Sequence, residues 1–173
     1  MGRAIGNQAR GTLPFRSVNR RGCPGHDAGL QKHHLLPRQL LTRRCFSRLF
    51  SEVGREALGF DDFRRNGILL PARDEAVWRT LLPLHRGPHR DYNAMVIERV
   101  GIIEGRWSHR KKLCSQQAGE EALLRLGLLQ SALRKRLLDQ SRKLVLNRRD
   151  PALVKPDFSE LDAMAEALFA AAA

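Results

Sequence analysis

Leu123, Leu126, Leu129, Leu133 and Leu137 recur at intervals of three and four residues, with Arg and Lys between them. That is the period of one helix face. It predicts a helix over 115–146. Left in water, a stripe of this size would be too large an apolar patch for a soluble monomer. The chain must cover the stripe by packing it onto its own core, or lend it to a partner helix or a second copy. Asp150-Pro151 and Lys155-Pro156 break the region that follows. A last amphipathic helix, over 159–169, would use Leu161, Met164, Ala165 and Leu168 and fold near the stripe.

The other periodic segments are shorter. Residues 31–36 form a short run stopped by Pro37, which fits an extended segment or a strand end. Residues 38–58 place Leu41, Cys45, Leu49 and Val53 at helical spacing, with Phe46 and Phe50 beside them, and close near Gly54 or Gly59. Asn66-Gly67 reads as a tight turn into a buried strand, Ile68 to Leu70, ended by Pro71. Asp74 is placed to cap a short helix through Leu82. A helix over 88–104 would carry Tyr92, Val96 and Val100 on one face. Residues 1–28 show no period and read as a basic, disordered arm.

A chain of 173 residues is long enough to bury a core without staples. It holds 25 Arg but only 6 Lys, and all 31 basic residues lie at or before Lys155. With 14 acidic residues in the same stretch, residues 1–156 carry +17 and the remainder carries −4. The planar guanidinium fork suits phosphate, so the balance favours a polyanion, and nucleic acid in particular. Arg-rich codon usage is the competing explanation. A hydrophobic share of 42% argues against a disordered chain. No run of about 18 apolar residues is present, so no membrane partner is expected. No secretory signal peptide is visible, which predicts a cytoplasmic protein or one exported by a delivery system that needs none. Cys23, Cys45 and Cys114 are too widely spaced for a disulfide framework or a Cys-rich zinc site.

Four of the six histidines fall into two pairs. His33 and His34 are adjacent at a strand end, and His85 and His89 are four apart at a helix start. Neighbours in a strand point to opposite sides. One of the first pair can therefore hold a metal while the other faces water. Imidazole suits a borderline divalent ion, and a neutral imidazole can take a proton from water near pH 7. Each piece also has an ordinary reading. An adjacent His pair can be core or surface, His85 and His89 are separated by Gly87-Pro88, and Asn66 before glycine is commonly a turn residue. Tyr92 is either core packing or a hydrogen-bond partner of a ligand. Arg86 and Arg90 either contact phosphate or are simply exposed. His26 and His109 lie in polar, Arg-flanked stretches and read as solvated.

Taken together, Gly29-Leu30-Gln31-Lys32-His33-His34-Leu35-Leu36-Pro37, then Asn66-Gly67-Ile68-Leu69-Leu70-Pro71, then Leu84-His85-Arg86-Gly87-Pro88-His89-Arg90-Asp91-Tyr92-Asn93, resemble the AHH family of HNH/endonuclease VII-like nucleases, common in bacterial polymorphic toxins. Lys32 stands where that family has alanine. The resemblance covers roughly residues 28–106. It implies an α+β fold, with a small ββα-metal core embedded in a mostly helical chain. The division expected is 1–28 arm, 29–110 nuclease core and 111–173 helical extension with an acidic last helix. By position, His33, His85 and His89 would be metal ligands, His34 the general base, and Asn66 the brace of the hairpin that orients it. Arg86 and Arg90 would bind substrate. The cofactor would be one divalent ion, Mg2+, Mn2+ or Zn2+. The function implied is a metal-dependent endonuclease of low sequence specificity acting on DNA, a toxin effector with an acidic immunity protein as partner. A ribonuclease and a non-catalytic basic binder are the alternatives.

Overall fold

In the computed structural model, which describes residues 11–141 and 144–153, the two short runs that end at prolines pair with each other. Strand β1 (Leu30–His34) and strand β2 (Gly67–Pro71) form a two-stranded antiparallel sheet, in register from Leu30 opposite Pro71 to His34 opposite Gly67. One further bond, Leu35 N to the Asn66 carbonyl at 2.8 Å, extends the ladder past the strand end. Asn66 is not a turn residue. It closes a one-turn helix, α4 (Phe63–Asn66), whose start is capped by Asp62 accepting the Arg64 N–H. Gly67 has φ −118, so it serves no left-handed turn. A Cβ there would lie 2.2 Å from the Phe63 ring, so glycine is needed for close packing.

The single helix expected over 38–58 is three pieces: α1 (Gln39–Thr42), α2 (Ser47–Val53) and α3 (Arg55–Leu58). Arg43 is extended, which breaks the first turn from the rest. Gly54 and Gly59 both stop helices at positive φ, and Phe60 N returns to the Arg55 carbonyl at 2.9 Å. The break rotates the face. Phe46 and Phe50 are buried, and Cys45 is exposed.

Helix α5 (Asp74–Thr80) begins at Asp74, but the aspartate does not cap it; it stands in the first turn, favourably placed for the helix dipole. Helix α6 (Arg90–Lys111) starts two residues after Pro88 and runs beyond 104. It buries Tyr92, Val96, Val100 and Trp107 along one side. A three-residue link leads to α7 (Ser115–Leu138), and the two long helices pack as an αα-hairpin. Of the leucine stripe, Leu126, Leu133 and Leu137 are buried, with Ala118, Ala122 and Gln130 on the same face. Leu123 and Leu129 pack at its margin. The stripe is thus covered by the chain's own core. The helix ends at 138 rather than 146, because Asp139 turns the chain by accepting Ser141 N at 3.0 Å.

The architecture is α+β: a ββα core of β1, β2 and α6, inside a mostly helical chain. No helix among the described residues is long and apolar enough to cross a membrane. The arm expected to be disordered is tied down over 13–30. Leu13 N bonds Asp62 Oδ1 at 3.1 Å, Phe63 N bonds the Leu13 carbonyl at 2.7 Å, and the Asn19 side chain holds Asp27 and Leu30. These bonds satisfy backbone groups through side-chain and long-range partners, so no periodic apolar pattern was needed to order the segment. The helix expected over 159–169 lies outside the described residues.

Candidate active site

β1 splits its two histidines between faces. His33 is buried, facing the start of α6, while His34 is half-buried on the other side. The His33 ring lies 4.8 Å from His85 and 5.5 Å from His89, and these two lie 4.2 Å apart. One nitrogen from each of the three lies within 4.8 Å of the others. Gly87 and Pro88, which separate the pair in sequence, are what allow it to converge. Gly87 takes φ +77, a conformation open to glycine at little cost, and the chain bends there before the helix begins. His89 is the residue at the helix boundary. The loop is fastened to the sheet by His85 N donating to the Pro71 carbonyl at 2.6 Å.

The tautomers follow from the partners. His85 Nδ1 donates to Gln31 Oε1 at 3.3 Å, and His89 Nδ1 donates to the Leu146 carbonyl at 3.4 Å. Each bond leaves Nε2 as the free lone pair. His33 Nε2 is buried with no partner among the described residues. An orphaned buried polar atom costs about 1–3 kcal/mol, so this nitrogen calls for an occupant. Burial pushes all three imidazoles below the usual histidine range; mutual repulsion adds to this at His33 and His85. His85 falls to about 4. Three neutral, convergent imidazoles, one with an unsatisfied nitrogen, fit a borderline divalent ion.

On the opposite face, Phe15 stacks on the His34 ring at 3.8 Å and 5° between planes. Burial first, then the nearby Arg38 charge, lower His34 to about 4, opposed by Asp61. His34 is therefore neutral near pH 7, with a lone pair to accept a proton. The backbone after it is fixed by the fully buried Asn66. Its Oδ1 accepts Leu36 N at 2.8 Å, and its Nδ2 donates to the carbonyls of Phe60 and Leu36 at 2.9 and 3.3 Å.

Tyr92 lays its ring 4.9 Å from His33, and its hydroxyl donates to the Leu35 carbonyl at 2.7 Å, not to a ligand. Burial pushes that phenol upward. Arg86 donates to the Ala72 carbonyl and pairs with Asp74 at 3.4 Å, so it braces the loop. Arg90, the first residue of α6, is exposed. His109 is exposed, and His26 is half-buried in a turn; neither joins the cluster. Sequence reasoning missed Phe15, Gln31 and the Leu146 carbonyl. Gln31 was findable, since it shares His33's strand face two residues earlier. The other two are long-range contacts with no local signal.

Residues 14–133 match the AHH family, described as a nuclease family of the HNH/ENDO VII superfamily with conserved AHH. No curated protein and no solved structure matches the chain.

Proposed function

The chain belongs to the AHH nuclease family of the HNH/ENDO VII superfamily, and from that premise we propose that it cleaves phosphodiester bonds with His34 as general base and a divalent ion held by His33, His85 and His89. The observation that carries this reading is the convergence of three histidines on one face of β1, with a neutral fourth on the other. When bound, the ion would neutralise charge on the phosphate and stabilise the departing oxygen. The chain's own residues do the rest. An imidazole nitrogen of His34 takes the proton of the attacking water. Phe15 holds that ring in one plane, and Asn66 holds the backbone from which it projects. Arg90, exposed and next to His89 in sequence, is assigned to the substrate phosphates. Arg86 is assigned to them only secondarily, because it is engaged with Ala72 and Asp74.

The substrate we favour is DNA, cut with little sequence preference. The Arg-rich surface supports phosphate contact, and no base-reading module is apparent. The setting we propose is that of a bacterial toxin effector. The +17 carried by residues 1–156 suits an acidic immunity protein. The test is plasmid and RNA degradation with Mg2+, Mn2+ or Zn2+, against an EDTA control. Plasmid nicking that EDTA abolishes is expected. His34→Ala should lose about 10²–10⁴-fold in rate while still binding metal. His33→Ala and His89→Ala should lose both. Cleavage of RNA alone would make it a ribonuclease. Tight binding without any cleavage would leave a basic binding protein.

A further inference from the structure

The family match ends at residue 133, yet the segment beyond α7 returns to the metal site. Its contacts fall on the loop that carries two of the three proposed ligands. Asp150 is 3% exposed, and its Oδ2 accepts Leu84 N, the residue before His85, at 2.8 Å. Asn147 Nδ2 donates to the carbonyl of Arg86, the residue after it. The Leu146 carbonyl accepts His89 Nδ1 at 3.4 Å. The strap is itself a closed turn: Asp150 N donates to the Asn147 carbonyl at 3.1 Å, and Arg149 N donates to Asn147 Oδ1 at 2.8 Å. Leu146 is buried in the core and anchors it.

Burying a carboxylate is costly unless hydrogen bonds satisfy it. Among the described residues Asp150 forms no ion pair. Its oxygens accept two backbone N–H groups, one in the ligand loop and one, Ala152 N at 3.0 Å, in its own turn. A buried side chain bonded in this way fixes the backbone on both sides of it. The loop from Leu81 to His89 lies between α5 and α6 and has no regular structure of its own, whereas His33 is held by its strand.

We propose that residues 146–150 are a positioning strap for the metal centre: they hold the loop bearing His85 and His89 and select the His89 tautomer that presents Nε2. This rests on the metal-dependent reading above. Outer partners of metal-ligating histidines are typically worth about 10–100-fold in metal affinity. Asp150 and Asn147 are positioning residues, acting through the ligands.

The test is titration of the full chain with Co2+, followed by calorimetry and by the visible absorption of the bound ion, well below the melting temperature. Asp150→Ala and Asn147→Ala should each weaken Co2+ binding about 10–100-fold and alter the Co2+ spectrum. Asp150→Asn should recover most of the affinity, since an amide oxygen can still accept Leu84 N. A merely structural role would lower the melting temperature in EDTA and leave affinity and spectrum unchanged, which would overturn the proposal. An Asp150→Asn as weak as Asp150→Ala would also count against it. Should Asp150→Ala fail to fold, Asn147→Ala decides alone. A wild-type chain that takes up neither Co2+ nor Zn2+ would instead refute the metal-dependent reading, and the strap with it.

Discussion

Asn66 concentrates much of the site's order in one side chain. It is fully buried, and its amide satisfies three backbone groups from two different segments, those at Leu36 and Phe60. Truncation to alanine would orphan a buried N–H and two carbonyls. Each unsatisfied group costs about 1–3 kcal/mol, less whatever relaxation recovers. Asn66→Ala should therefore destabilise the chain by at least about 2 kcal/mol, read as a lower urea midpoint at unchanged slope. Asn66→Asp is nearly isosteric, but it loses both donations and buries a charge beside carbonyl oxygens. It should be no better than alanine. If Asn66→Asp kept wild-type stability, the Nδ2 bonds would not be holding the hairpin.

At the scale of elements, the turn from α4 into β2 depends on the absence of a side chain. Gly67 meets the Phe63 ring so closely that a Cβ would sit 2.2 Å from it. Because φ is −118, alanine would suffer no backbone strain, and the whole penalty would come from overpacking. Gly67→Ala should cost about 1–3 kcal/mol. The double change Gly67→Ala with Phe63→Leu should recover part of it, as measured by urea denaturation. A lone Gly67→Ala that is neutral would show that the ring moves aside freely. The same turn illustrates what was legible in advance. Both strands were, because each short run stops at a proline, although only the second run is apolar, and their pairing follows once His33 and Asn66 belong to one site. The long helices were legible from period, and their ends were not. Asp139 ends α7 by a side-chain turn, and Arg43 breaks the 38–58 segment although arginine carries no breaking signal. Gly87-Pro88 argued locally against bringing His85 and His89 together. In three dimensions it is the bend that does so.

At the scale of the whole molecule, the N-terminal segment joins two effects that sequence alone could not separate. Its arginines contribute to the net +13 of the chain, while Phe15 reaches the proposed base. A cut after residue 10 separates them in part, because Arg3 and Arg10 precede the stretch that holds Phe15, whereas Arg16, Arg20 and Arg21 lie within it. Residues 1–10 contribute Arg3 and Arg10, whereas, among the described residues, the N-terminal contacts to Asp62, Phe63 and His34 come from Leu13 and Phe15. Each phosphate contact steepens the log-log salt dependence of binding by about 0.9. Deleting residues 1–10 should flatten that slope by up to about 2 units and leave the cleavage rate at saturating DNA nearly unchanged. Deleting residues 1–28 should also remove the stack on His34. A catalytic group displaced by about 1 Å can lose about 10²-fold in rate, so the saturated rate should fall toward that extent. Phe15→Ala in the full chain should reproduce the loss of rate without the change in slope. Co2+ affinity should survive all three changes, since His33, His85 and His89 lie on the other face of the strand. A saturated rate that Phe15→Ala leaves intact would mean that the stack does not hold the base, and that Asn66 orients His34 alone.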